Sequence, residues 1–272
     1  MMDCKNALTE AQGDMAGAEI VLRKRGIATA QKKAGRSALE GLVATVVRPD
    51  ASLGAMVEIN CESDFVARTD DFQNLLATIT EQVAQENPAT LEALLAMTYP
   101  GQGHSVSDEV GARVGKLGEN IVVRRYVRYA LDGQGWISSY VHHGKIGVLV
   151  EAVSDQPVGD ALKDALKDVA MHVAASDPRC LRREHVDSKL LAQEKEIQTE
   201  RARAEGKPEK ILDKIVEGRL GKFYEEICLL EQPFIRETNM SVGQWLTSKA
   251  GEIGKVEIKR FARFKVGESA AA

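Results

Sequence analysis

The residues able to do covalent chemistry are not spaced to do it. Gly111-Ala112-Arg113-Val114-Gly115-Lys116-Leu117 has the glycines and lysine of a phosphate loop. Such a loop needs four residues between its glycines to wrap the phosphates and a hydroxyl after the lysine to hold magnesium, whereas three residues and Leu117 stand here. The five histidines, His104, His142, His143, His172 and His185, form no His-x-x-x-His pair. The four cysteines, Cys4, Cys61, Cys180 and Cys228, form no Cys-x-x-Cys pair. Zinc ligation, a redox motif and a disulfide framework all lack their spacing. No Gly-x-Ser-x-Gly elbow occurs, and the carboxylates are spread along helix faces rather than paired in strand-end loops. The expectation is a protein that is not an enzyme, with no cofactor and no metal.

A different chemistry, that of binding, is offered by Asn60-Cys61-Glu62-Ser63-Asp64-Phe65-Val66-Ala67-Arg68. An acid and a large aromatic sit here in a polar connection just after a strand, where the backbone must leave its sheet. Two readings follow from the residues: an aspartate that caps a helix with a phenylalanine tucked into the local core, or an exposed acid-aromatic tip.

The elements that must position this segment follow from periodicity. Near the start, Asp3 to about Ala11 and Met15 to Arg25 read as two helices parted at Gly13-Asp14, and Gln31-Lys32-Lys33-Ala34-Gly35-Arg36 as a solvated basic linker. Two short helices bury little, so this piece must lean on something else. The β-branched runs 42–47 and 55–59 predict a hairpin, 72–85 a helix with Leu75, Leu76, Ile79 and Val83 on one face, and 121–129 a strand. The series then recurs. Gly54 and Glu58 return 93 residues later as Gly147 and Glu151 in a second hairpin, over 136–141 and 147–151. A helix over 160–175 ends in Asp177-Pro178 as the first ends in Asn87-Pro88, and Lys259 to Phe264 repeats the Arg-aromatic pattern of Arg125 to Tyr129. Four matches in one order predict two similar α+β halves, each a small antiparallel sheet with helices on one face.

The second half also holds a charged stretch from about Glu184 to Glu226. Leu212, Val216, Leu220, Phe223 and Ile227 fall at helical spacing, Val186, Leu190 and Ile197 more loosely so, and Gly206-Lys207-Pro208 interrupts them. An antiparallel helical hairpin, a coiled coil with arms of roughly 25 to 30 Å, is predicted. The expected division is 1–38 for the N-terminal helices and linker, 39–132 for the first core half, 133–183 with 228–268 for the second, and 184–227 for the hairpin.

With 272 residues, 44% of them hydrophobic, the chain can build a sizeable core. A net charge of −4 supplies no global field for nucleic acid or anionic membrane, and 5% aromatics are too few for a stacking surface. No apolar run approaches the ~20 residues of a bilayer span, and Met1-Met2-Asp3-Cys4-Lys5 lacks a signal core, so the expected location is cytoplasmic.

Ser63-Asp64-Phe65-Val66 resembles the Thr-Asp-Phe-Val motif of the bacterial elongation factor Ts family, with Ser63 in place of Thr. The stretch from Met2 to Ala11, Ile146 to Val150, Ala170 to Ala175 and Gln232-Pro233-Phe234-Ile235 also resemble that family, so the likeness spans nearly the whole chain. It implies a small UBA-like N-terminal module and guanine-nucleotide exchange on elongation factor Tu, bound to GDP or nucleotide-free. The implied site is Asp64 and Phe65, flanked by Ser63 and Val66, entering near the partner's magnesium and nucleotide. Lys5 in the N-terminal module is implied as a further contact, as are His142 and Ile235. His143 stands where a small residue is usual. Relatives usually carry a helix ahead of the Met2 stretch and another after Val266-Gly267-Glu268-Ser269, which implies weaker exchange here. The alternative expectation is a passive clamp or chaperone-like adaptor that holds a partner without altering its nucleotide.

Overall fold

A computed structural model describes residues 2–268; Met1 and Ser269 lie outside the described residues. The chain is mixed helix and antiparallel sheet. In order it runs α1 (Met2–Glu10), α2 (Met15–Lys33), β1 (Glu40–Val47), β2 (Leu53–Cys61), α3 (Asp64–Ala67), α4 (Asp70–Glu86), α5 (Leu91–Ala96), α6 (Val106–Leu117) and β3 (Val122–Ala130). It continues with β4 (Gly135–His142), β5 (Ile146–Ser154), α7 (Asp160–Ser176), α8 (Ser188–Ala204), α9 (Leu212–Ile227), β6 (Pro233–Phe234), β7 (Glu237–Ser241), α10 (Val242–Ser248), α11 (Ala250–Ile253) and β8 (Val256–Lys265). Two three-stranded sheets have the orders β1-β2-β3 and β4-β5-β8. Among the described residues no helix is long and apolar enough to cross a membrane.

The chain divides into two compact units. One gathers the described residues of Met1–Ala130, Ser139–Leu149 and Phe264–Ala272, the other Leu131–Ser138 and Val150–Arg263. In the first unit β1 pairs antiparallel with β2, and β2 with β3. Val57, Ile59 and Cys61 of β2 share one buried core with Phe72, Leu75, Leu76, Ile79 and Val83 of α4. That amphipathic helix is capped by Thr69, whose hydroxyl accepts from Phe72 N–H, and ends at Asn87 in the left-handed conformation. In the second unit α7 ends the same way at Asp177.

The repeat extends to an arginine paired with a buried glutamate in each unit. Glu58 on β2 accepts from Arg125 Nε on β3 at 2.7 Å, and Glu151 on β5 accepts from Arg260 Nε on β8 at 2.6 Å. The residues that marked the duplication by spacing are thus those that neutralise a carboxylate inside each sheet.

The N-terminal helices and their support differ from the sequence reading. α2 continues to Lys33, through much of the expected linker, and Ala30 on this added stretch packs against the first unit's core. The support that α2 leans on is α6, which lies between the predicted 72–85 helix and 121–129 strand, where no element was predicted. Gly26, Gly111 and Gly115 make the crossing possible: a Cβ on Gly115 would lie 2.7 Å from Gly26 Cα, and one on Gly26 would lie 3.0 Å from Gly111 O. The glycines that imitate a phosphate loop are therefore a helix-packing seam. In the second unit, Val186, just ahead of α8, packs against the cluster that holds Ile227 at the end of α9, while Glu205 at the far end of α8 accepts from Arg219, so α8 and α9 run antiparallel. Leu212, Val216 and Ile227 are buried, but Ile197 is 56% exposed.

Candidate functional site

β2 delivers the chain into a single turn of helix, α3, that carries the acid-aromatic pair. The cap is Ser63 rather than Asp64: Ser63 has extended backbone and its Oγ accepts from Val66 N–H at 3.4 Å. Asp64 and Phe65 then occupy the first two helical positions and Val66 the third. Val66 and Ala67 are buried in the first unit's core, whereas Phe65 is 78% exposed. Of the two readings the residues left open, the exposed aromatic is the one adopted. Phe72, seven positions on, is fully buried, so exposure at Phe65 belongs to its place and not to its residue type.

An isolated helical turn has too few hydrogen bonds to hold its own shape. α3 is held from outside. Ser63 N–H donates to Glu119 Oε2 at 2.9 Å and Ser63 Oγ donates to Glu119 Oε1 at 2.6 Å, so one carboxylate grips both donors of the cap. The neighbouring Asn120 N–H donates to Glu62 Oε1 at 2.7 Å, while Asn120 Nδ2 donates to Arg36 O at 2.9 Å. Arg36 also approaches Glu62 at 3.6 Å, and Lys33 Nζ donates to Gly118 O. The end of α2, the end of α6 and the root of the tip thus converge within unit one. Beneath them Cys61 Sγ donates to Ser63 O at 3.0 Å. Burial, reinforced by the charge of Glu119, pushes that thiol up to about 12. Cys61 is a packing group here and not a nucleophile.

Asp64 is half exposed and bonded at 2.7 Å to Arg68, itself 75% exposed. An i,i+4 pair in water contributes only ~0.3–0.5 kcal/mol, so the carboxylate is easily released to another donor.

The other expected residues lie elsewhere. Lys5 is exposed on α1, which is joined to α2 by the 2.7 Å pair Arg25–Glu10. His142 is exposed at the end of β4, with Nδ1 at 2.9 Å from Tyr140 Oη and its ring 4.3 Å from that of His143. His143 opens the turn to β5 with φ of 50°, a conformation that favours Gly or Asn. Neither Lys5 nor His142 makes a hydrogen bond or ring contact with Ser63–Val66 among the described residues. Ile235, 41% exposed, belongs to the second unit at the β6–β7 turn. That turn is fixed by His172 of α7. The buried His172 Nδ1 accepts from Ile235 N–H at 3.3 Å, which leaves Nε2–H to donate to Gln232 Oε1 at 3.0 Å. Burial lowers the His172 pKa, opposed by the Gln232 bond. Among the described residues no group of three or more His, Cys, Asp and Glu is placed to hold a metal ion.

The sequence profile described as Elongation factor TS matches residues 62–268. The chain belongs to the elongation factor Ts family. It is 45% identical to Elongation factor Ts of Trichlorobacter lovleyi, an alignment covering 98% of this chain and 88% of the relative. To that of Thiobacillus denitrificans it is 46% identical, over 98% of this chain and 87% of the relative. To that of Magnetococcus marinus it is 43% identical, over 98% and 88%. Within this elongation factor Ts chain, spacing alone did not nominate Glu119 or Arg68. The i,i+4 spacing of Asp64 and Arg68 is a signal that could have found Arg68, but Glu119 lies 56 residues from Ser63 with nothing local to signal it.

Proposed function

We propose that this protein is a guanine-nucleotide exchange factor for elongation factor Tu, acting during translation elongation without covalent chemistry of its own. The observation that carries the proposal is Phe65: a large aromatic, 78% exposed, on a turn that is capped, clamped and anchored in a core. An aromatic suits a wedge because it brings a large apolar area with few rotamers to freeze. GDP is held on such a partner chiefly through phosphates and magnesium, so displacing the phosphate loop and magnesium ligands weakens it without any contact to the base. Asp64 enters beside Phe65, and Ser63 and Val66 hold the pair in place. Lys5, on what we read as a UBA-like module, contacts the same partner domain, and His142 and Ile235 add contacts elsewhere.

On this reading 1–38 is the docking module, 39–132 and 133–183 with 228–268 are the core halves, and 184–227 is a coiled coil. The work is done in the cytoplasm on the GDP-bound or nucleotide-free partner and needs neither nucleic acid nor a membrane. The test is release of fluorescent GDP from elongation factor Tu. Wild-type protein accelerates it and Phe65→Ala loses most of that acceleration while still folding. Binding without acceleration by wild type would make the protein a passive clamp and refute the proposal.

A further inference from the structure

We infer that Glu119 is a positioning residue for the Phe65 tip, an inference that rests on the exchange-factor reading above. α3 spans only four residues, so its direction is set by what grips its ends. At the C-terminal end Val66 and Ala67 are sunk in the core. At the N-terminal end both donors of Ser63 go to Glu119, at 2.6 and 2.9 Å, in a fork that fixes the cap's backbone and its side chain together. Bonds to a charged acceptor are shorter and stronger than neutral ones, and a forked pair adds directional restraint.

Glu119 is itself aimed by its surroundings. Gly118 ends α6 with φ of 79°, where a glycine is needed to turn the chain, and Asn120 on the far side is tied to Glu62 and Arg36. The carboxylate is therefore the link between the tip and α6, the helix against which α2 of the N-terminal module packs. A push on that module reaches Phe65 through Glu119. Without the clamp Phe65 samples orientations other than the one that enters the partner, and the ordering cost falls on the exchange step.

The experiment uses full-length protein carrying Glu119→Ala or Glu119→Gln, each alone and with Phe65→Ala. Maximal GDP release and the factor concentration at half-maximum are measured separately, and amide hydrogen exchange follows the segments 62–67 and 72–84. Glu119→Ala is expected to lower the maximal rate about tenfold or more, as loss of bonds to a charged group implies, with little change in half-saturation. Glu119→Gln, whose amide oxygen keeps one acceptor, recovers part of the loss. In the Phe65→Ala background the Glu119 substitutions add almost nothing, because residues acting through one group are not additive. Amides of 62–67 exchange faster in Glu119→Ala while those of 72–84 stay protected.

Equal losses with and without Phe65, or an unchanged maximal rate, overturn the inference. If Glu119→Ala also exposes 72–84, Glu119→Gln carries the test by the same criteria. Wild-type protein that leaves GDP release unchanged strikes down the exchange reading first, and the inference with it.

Discussion

Replacing Arg125 with Met should destabilise the first unit by about 3 to 5 kcal/mol, the cost of stranding one member of a buried ion pair. Glu58 has a side chain only 1% exposed and Arg125 one 21% exposed, with Nε to Oε2 at 2.7 Å. The guanidinium also lies 4.4 Å from the Phe264 ring and donates to Lys265 O at 3.2 Å. After substitution Glu58 retains Asn60 Nδ2 at 3.2 Å and Gly267 N–H at 3.3 Å, neither of which carries a charge. The duplicate pair supplies an internal control. Glu151 is 9% exposed but Arg260 is 49% exposed, so water screens that pair and Arg260→Met should cost nearer 1 kcal/mol. At roughly 2–4 °C per kcal/mol, Arg125→Met lowers the melting midpoint by about 6 °C or more. Urea unfolding of both variants measures the ratio directly. Adding Glu58→Gln to Arg125→Met should recover much of the loss, since the stranded charge is then gone. Equal costs for the two arginines, or no recovery in the double variant, would refute the argument from burial.

Two further outcomes follow from the packing and the buried histidine. Gly115→Val forces a side chain against the Gly26 backbone and should weaken the α2–α6 seam by ~1–3 kcal/mol, seen as faster amide exchange in α2; undiminished protection there would contradict the seam. Burial lowers the pKa of His172 below the usual histidine value of about 6.5. Below that value the unfolded chain binds the proton more readily, and stability drops by up to ~1.4 kcal/mol per pH unit as pH falls. His172→Gln should flatten the urea-midpoint profile between about pH 6.5 and 5; an unchanged slope would remove His172 from the acid sensitivity.

Legibility in the sequence tracked how far apart the partners lie. Hairpins and long helices were readable because their signals are local: a β-branched run over 42–47, and a single apolar face over 72–85. α6 escaped for the opposite reason. Its packing face toward α2 is made of glycine, which carries no hydrophobic signal, and the pattern that remains resembles a nucleotide loop. α3 is too short for any period to register. Whether Phe65 points in or out depends on Ser63, not Asp64, taking the cap, and on Glu119, so no window around residue 65 contains the answer. The resemblance chose correctly between two exposures because it draws on a whole family's experience of that turn.

The two halves differ in how the chain leaves the middle strand of the sheet. After β2 the chain enters α3 and lifts Phe65 clear. At the matching place after β5, Asp155 Oδ1 accepts from Lys255 N–H at 2.7 Å and Gln156 N–H donates to Ser154 Oγ at 3.2 Å, closing that exit with local bonds and no aromatic. On the exchange-factor reading the single tip sets a ceiling. Burying an exposed Phe side chain contributes ~1.5–3 kcal/mol, and each 1.4 kcal/mol is a factor of ten, so Phe65 can supply roughly 10- to 150-fold of coupling. Because coupling between sites is reciprocal, GDP must loosen the factor by as much as the factor loosens GDP. A Phe65→Ala loss inside that range means apolar burial alone drives its share. A larger loss would mean the side chain also holds the partner's backbone in a displaced state, a role that area cannot supply.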